Sequence, residues 1–378
     1  MGIQNFYSWL RTTYPSCFVN SYNVNMFDHV YIDMNWMLHK LTYKSMEEKD
    51  FIPLLYYQLD AMLTQFMAKK TLSLVFDGPP CHAKVMLQRK RRVGPFCTAN
   101  LSLTPGTKFM NKMKHRVDEY IESRKCLFIQ RDIDISVSSS KIPDEGDLKI
   151  AYKIRQNPND THLILGYDAD YILISILSKS PVYVWAKNNL FSSSEFVKLG
   201  INAQNFVFTS IMFGNDYLPK LKYSSLNNLS SSYKSLELIV NNKLNHKDFK
   251  KLLQRISIDL KPNFRSIKLT DIPSRKIINH YVSGLLWCYQ MYAEGICPKI
   301  NYFYGDCSIH PLEILYFMEF NPDFEFITPV STKPPLDHDT YVLLVFPLSA
   351  RKLLPKHVKP LQDQLPFLYE EENCQTCQ

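Results

Sequence analysis

Val75-Phe-Asp-Gly-Pro-Pro-Cys-His-Ala-Lys-Val-Met-Leu-Gln-Arg-Lys-Arg-Arg92 is the stretch whose reading decides the fold of this chain. It begins as the end of a buried strand, Leu72-Ser-Leu-Val-Phe76, which delivers the carboxylate of Asp77 to that strand's C-terminal edge. Gly78, Pro79 and Pro80 force a turn, and a helix follows. On that helix Lys84, Gln88, Arg91 and Arg92 stand at i, i+4, i+7 and i+8, so they share one face. One short segment thus sets an acid suited to holding a metal beside cations suited to holding a phosphate. That pairing is the chemistry of phosphodiester cleavage.

Upstream, His29-Val-Tyr-Ile-Asp33 is a β-rich run that also ends in an acid, and Met34 to His39 starts a helix. Leu55, Leu59, Met62, Leu63 and Phe66 then form the apolar stripe of a second helix, which leads into the strand before Asp77. This β-α-β order predicts a parallel sheet. The first residues, Gly2 to Leu10, make a short amphipathic piece. Downstream, Val93-Gly-Pro-Phe-Cys97 reads as a linker, and Thr107 is placed to cap a helix running through Val117, Tyr120 and Ile121. Ile142 to Ile150 opens another helix with acids at its start, where the helix dipole favours them. The strand beginning at His162 ends in Asp168-Ala-Asp170. A further strand, Val182 to Trp185, and an apolar segment, Phe206 to Phe213, lead to Gly214-Asn-Asp-Tyr-Leu-Pro219.

With 378 residues, 46% of them apolar and 13% aromatic, the chain can pack a large core, which excludes a disordered protein. The 44 Lys and Arg against 36 Asp and Glu leave +8, compatible with a polyanionic partner without establishing one. Nine irregularly spaced cysteines without a signal peptide point to a reducing compartment. No apolar run is long enough to cross a bilayer. A soluble cytoplasmic protein is therefore expected, with the basic run leaving the nucleus open. Cys374-x-x-Cys377 has no second ligand pair nearby and is not read as a metal knuckle. Glycine is scarce, and five of the 11 (Gly78, Gly106, Gly146, Gly166 and Gly214) fall in these same segments, marking places of unusual backbone or close approach.

Asp33, Asp77, Asp168 and Asp170 all follow apolar strands, and the C-terminal edge of an open α/β sheet is where ligands bind. Glu145, Asp147 and Asp216 complete a candidate cluster. Each pair of such charges at ~4 Å repels by about 4 kcal/mol at an effective dielectric near 20. Two divalent cations would offset much of this, and all-oxygen ligation favours Mg²⁺ or Mn²⁺ over zinc. Taken singly, any one of these acids is more often a turn former or helix cap, and the Lys-Arg run also matches a nuclear-import patch. What sets them apart is that the seven acids share one topological address and that Gln88 joins the basic stripe.

These residues carry a resemblance. Asp33-Met-Asn with His39, Asp77-Gly with Ala83-Lys84 and Gln88 to Arg92, Thr104-Pro-Gly-Thr-x-Phe-Met110, Glu145-Gly-Asp-x-Lys-Ile150, Gly166-Tyr-Asp-Ala-Asp170 and Gly214-Asn-Asp-Tyr-Leu-Pro219 resemble the successive catalytic motifs of the XRN family of 5′→3′ exoribonucleases. A weaker similarity continues through Gly284 to Pro298 and through Pro334 to Pro355. The resemblance implies an α/β, PIN/flap-nuclease-like fold, a mainly parallel twisted sheet flanked by helices with a mostly helical C-terminal region. It also implies hydrolysis of single-stranded RNA bearing a 5′ monophosphate to mononucleotides, with two Mg²⁺ ions and a decapping enzyme as a possible upstream partner. By the same resemblance Asp33, Asp77, Glu145, Asp147, Asp168, Asp170 and Asp216 hold the metals, Lys84, Gln88, Arg91 and Arg92 grip the 5′ phosphate, and His39 stacks on the first base.

Two departures stand out. Asp147 replaces the family's usual Glu, and Lys299-Ile-Asn-Tyr-Phe-Tyr304 replaces a tryptophan-rich segment, leaving Tyr302 as the candidate second stacking ring. The expected organisation is a nuclease core over 1–220, a polar connection over 221–260, a helical region over 261–360 covering the active site, and a tail over 361–378. Two other readings compete: a structure-specific flap-type DNA nuclease, which the lack of glycine between Gly214 and Gly284 disfavours, and an inactive scaffold binding RNA 5′ ends. A pure polyanion binder would gain from losing the acids.

Overall fold

The structure, a computed structural model, describes residues 2–21, 26–42, 48–92, 101–186, 189–258, 274–366 and 369. A seven-stranded sheet is built from β1 (Phe18–Asn20), β2 (Met26–Asp33), β3 (Met67–Val75), β4 (Asp134–Val137), β5 (His162–Leu165), β6 (Val182–Ala186) and β7 (Asn189–Ser192), in the order β1-β7-β6-β5-β2-β3-β4. The five strands β2 to β6 are parallel, and β7 alone is reversed, pairing antiparallel with both β6 and β1. The mainly parallel sheet expected from the β-α-β order is thus present. From β2 the chain steps to β3 and β4 on one side, then returns to place β5 and β6 on the other. Strand order therefore reverses between β2 and β5, and the loops leaving those strands part to form a crevice.

Alternation along the strands gives the sheet two buried faces. Val30, Ile32, Leu163 and Leu165 belong to one apolar cluster, whereas Tyr31, Ile164 and Val184 belong to the other. The helices that bear on the site are α1 (Phe6–Thr13), α2 (Met34–Thr42), α3 (Glu48–Gln65), α4 (His82–Arg92), α5 (Lys108–Ser123), α6 (Gly146–Gln156), α7 (Ala169–Leu177), α8 (Arg275–Glu294) and α9 (His338–Val345). The first face buries Leu38 of α2, Leu55 of α3 and Val117 of α5; the second buries Leu10 of α1, Ile154 of α6, Ile174 of α7 and Trp287 of α8. Thr107 caps α5 as its sequence predicts, its hydroxyl accepting from the Met110 N–H at 3.2 Å.

Residues 221–258 differ from the polar connection read from their Ser, Asn and Lys content. Leu238, Phe249, Leu252, Leu253 and Ile256 are buried in the same cluster as α1 and α8. Four of them, at 249, 252, 253 and 256, follow helical spacing within the helix His246–Ile258, a narrow stripe that hydrophilic neighbours conceal. Tyr281, Trp287 and Phe317 join that cluster too, so this part of the 261–360 region completes the core begun by the first strands. The Val93–Cys97 linker, residues 259–273 and the tail from Glu370 lie outside the described residues. Among the described residues no helix is long and apolar enough to cross a membrane.

One glycine joins the acid-bearing loops. The Gly78 N–H donates to the Asp144 carbonyl at 2.9 Å, and a Cβ on Gly78 would lie 1.8 Å from the Ile142 carbonyl oxygen. Only glycine lets the turn after Asp77 approach the segment that carries Glu145 and Asp147.

Candidate active site

Strand register brings the acids to one edge. Asp33 pairs with Val75 and Ile32 with Leu165, so Asp77 and Asp168 leave the sheet beside Asp33. Three of them are then fixed by neighbouring donors. Asp33 caps α2, Oδ1 accepting the Trp36 N–H at 2.9 Å while Oδ2 accepts the Tyr171 hydroxyl at 2.9 Å. Asp77 Oδ1 accepts the Gly146 N–H at 2.7 Å, at the start of α6, and Asp168 caps α7. Asp147 sits in the first turn of α6 and Asp170 in that of α7, where the helix dipoles favour negative charge.

The basic stripe of α4 faces these acids. Lys84, only 7% exposed, places Nζ 3.0 Å from Glu145 Oε2 and 2.8 Å from Asp216 Oδ2. Arg91 Nη2 lies 3.0 Å from Asp216 Oδ1, which links α4 to the loop after Phe213. Gln88 accepts the Tyr341 hydroxyl at 2.7 Å, and Arg89 donates to the Leu344 carbonyl at 2.9 Å, so α9 braces α4 from behind. The Arg92 guanidinium lies 6.0 Å over the Phe346 ring and keeps Nη1 buried without a hydrogen-bond partner. Lys84, Gln88, Arg91 and Arg92 all line a cleft of about 470 Å³, together with Asp33, Asp77, Glu145, Asp147, Asp168 and His39.

Crowding of the acids shows in their proton affinities. Burial is the largest cause in pushing Glu145 up to about 8, Asp33 to about 7 and Asp147 to about 6, with neighbouring carboxylates adding to it. Asp170, 1% exposed, is raised well above the usual range by burial and then by Asp168. Burial acts on Asp216 in the same direction, but Lys84 and Arg91 outweigh it and hold that carboxyl at about 2. The Lys84 ammonium survives its own burial because Glu145 and Asp216 raise its pKa well above normal.

A pH dependence follows. An acid whose folded-state pKa exceeds its unfolded value holds its proton more tightly when folded, so its stabilising contribution is lost as pH rises toward the folded pKa. His162, held down to about 4 by burial, acts oppositely, but only below its ordinary 6.5. In EDTA the melting temperature should therefore fall from pH 6.5 to about 8, where Glu145 and Asp33 give up their protons. Thermal melts over that range check this; a rise with pH would contradict it.

Not every residue singled out in the sequence reaches the cleft. Tyr302 is buried, stacked on Trp287 at 4.8 Å and 30°, and its hydroxyl donates to the His280 carbonyl at 2.6 Å. The 299–304 loop folds back along α8, where Gly284 leaves the room its ring needs. No residue beyond Tyr171 lines the cleft among the described residues, so the described part of the C-terminal region braces the site from α9 and does not line it. Conversely, Trp36 and Tyr167 line the cleft and were not singled out, although each lies within three residues of a chosen acid. Tyr171, the donor to Asp33, was missed as well; its place directly after Asp170 was the available signal.

Among the described residues no three acids are gathered into a ready-made cation cage. Lys84 supplies the counter-charge for two of them. Yet Asp170 Oδ1 is buried with no hydrogen-bond partner, and the donors converging here are all oxygens, which suits a hard divalent cation.

The profile described as the XRN 5′-3′ exonuclease N-terminus matches residues 1–100 and 95–185. Among relatives, 5′-3′ exoribonuclease 1 of Schizosaccharomyces pombe is 29% identical over 219 residues, 48% of this chain and 16% of that protein. Its namesake in Saccharomyces cerevisiae is 24% identical over 257 residues, 58% and 17% of the two chains. The match to the Homo sapiens protein is 25% identical over 221 residues, 47% and 13%. The matched segment thus spans less than a fifth of each of these relatives. Similar solved structures include the catalytic core of Rad2 in complex with DNA substrate (TM-score 0.45, 16% identity, 86% of this chain and 96% of that one). Human GEN1 in complex with Holliday junction DNA is another (TM-score 0.45, 13% identity, 94% and 81%). Through its N-terminal half, which carries the acids of three strand ends and the basic helix that faces them, this chain belongs to the XRN 5′-3′ exonuclease family.

Proposed function

We propose that this protein is a 5′→3′ exoribonuclease that hydrolyses 5′-monophosphorylated single-stranded RNA to mononucleotides, using two Mg²⁺ ions for which Mn²⁺ can substitute. One observation carries the reading: the cationic face of α4 opens into the same cleft as five of the acids. Arg92, with an unpartnered buried Nη1, and Arg91 supply charge-assisted bonds for a terminal phosphate. A cleft of about 470 Å³ admits such a phosphate more readily than a cap. Trp36, His39 and Tyr167 offer faces for the first base, the role first assigned to His39 and Tyr302. Asp33, Asp77, Glu145, Asp147, Asp168, Asp170 and Asp216 would hold the cations, which when bound would activate a water and offset charge on the leaving oxygen. Lys84 keeps Glu145 and Asp216 together meanwhile. A decapping reaction would supply such a 5′-phosphorylated end, in keeping with work in the cytoplasm.

End-labelled RNAs bearing a 5′ phosphate, 5′ hydroxyl or cap, incubated with and without EDTA, test this. Only the first should be degraded, and only when cation is free; equal loss of all three would overturn the reading. Arg92→Ala should reduce the preference for 5′ phosphate over 5′ hydroxyl by roughly tenfold or more, the worth of a charged hydrogen bond. An unchanged ratio would move Arg92 to a general backbone role.

A further inference from the structure

We infer that a second groove, bordered by the residues next to Asp168, Asp170 and Asp216, carries the RNA strand 3′ of the bond that is cut, with Lys220 holding one of its phosphates. This rests on the exoribonuclease reading above. The groove has a volume of about 560 Å³ and is walled by the segment before α1, by Trp9, by the turn from Phe213 to Lys220 and by Asn227.

It begins where the acids end. A Cβ placed on Gly2, which lines the groove, would lie 2.8 Å from Oδ1 of both Asp168 and Asp170. Asn215, another wall residue, directly precedes Asp216 and is held by its side chain, Oδ1 accepting the N–H groups of Tyr217 and Leu218 at 2.9 and 3.0 Å. Gly2 and Asn215 therefore form the border that the groove shares with the carboxylates.

Its chemistry is the reverse of the cleft's. Among the described residues no carboxylate lines it, and the one charged side chain there, Lys220, is exposed. Lys220 lies 5.9 Å over the Phe213 ring and makes no ion pair among the described residues. Trp9 is fixed by a bond from Nε1 to Asn227 Oδ1 at 2.9 Å and by stacking on Phe206. Gln4 and Asn5 add exposed amides at the rim. An unopposed cation, aromatic rings and amides, without acids, suit a single strand bound through its phosphates and base faces, whatever its sequence. Polarity fixes which part of the strand this is. With the terminal phosphate on α4 and the scissile phosphate at the acids, the uncut remainder must continue past the acids, and this groove borders Asp168, Asp170 and Asp216.

The test measures binding of a 5′-phosphorylated dinucleotide and octanucleotide to the full chain in EDTA, for wild type, Lys220→Glu and Lys220→Met. Wild type should gain affinity on lengthening, and Lys220→Glu should shrink that gain about tenfold, the worth of one charged phosphate contact. For the octamer, the slope of log affinity against log salt should flatten by about 0.7 in Lys220→Met. Zero-length crosslinking from 4-thiouridine three nucleotides into the octamer should fall on Trp9 or Phe213. An undiminished length gain with an unchanged salt slope would overturn the groove assignment. If the wild type cuts neither RNA with Mg²⁺ while the length gain still depends on Lys220, the nuclease reading fails and the groove stands.

Discussion

Asp170→Asn is expected to lower turnover of 5′-phosphorylated RNA by roughly a thousandfold or more, about 4 kcal/mol of barrier, while the RNA still binds. Asp170 is 1% exposed, its Oδ1 has no hydrogen-bond partner, and burial and Asp168 together push its carboxyl toward the protonated form. A buried oxygen left so exposed to repulsion makes sense as a ligand waiting for a cation. The isosteric amide removes that repulsion, so in EDTA the variant should melt no lower than wild type. Mg²⁺ should raise the wild-type melting temperature and raise that of Asp170→Asn less. Retained turnover, or equal Mg²⁺ shifts, would take Asp170 out of the site.

Lys84→Met should give the largest loss of stability, about 3–5 kcal/mol, because one buried cation answers two buried carboxylates. Without it Glu145 and Asp216 lose partners at 3.0 and 2.8 Å, and burial then raises Asp216 against weaker opposition, Arg91 included. Adding Glu145→Gln should recover part of the loss by removing one stranded charge, and Mg²⁺ should recover part in the single variant. Urea melts of the four forms measure the coupling. A loss below about 1 kcal/mol would mean the pair behaves like an exposed one.

Much of the site was legible because its signals are local. All the acids but Asp216 follow an apolar strand or open a helix, and the stripe from Lys84 to Arg92 declares itself by helical period. What was hidden depends on distant partners. Lys84, read in the sequence as a phosphate ligand, also pairs with Asp216, 132 residues away, a contact that no local pattern announces. Tyr302 faces α8 because Gly284 leaves space there, which no local pattern records. The reversal of β7 rests on the short connection from Ala186 to Asn189, and the buried stripe of His246–Ile258 is diluted by lysines.

The brace behind α4 has a consequence for how the molecule comes into being. Gln88 and Arg89 take hold of Tyr341 and Leu344, some 250 residues further along the chain. A polypeptide still being translated already owns its acidic strand ends, yet its arginine-bearing helix has nothing at its back until those late residues emerge. The basic face of that helix is thus braced against the acids only after residues 338–345 have been made, so synthesis sets the carboxylates in place first and the cations facing them last.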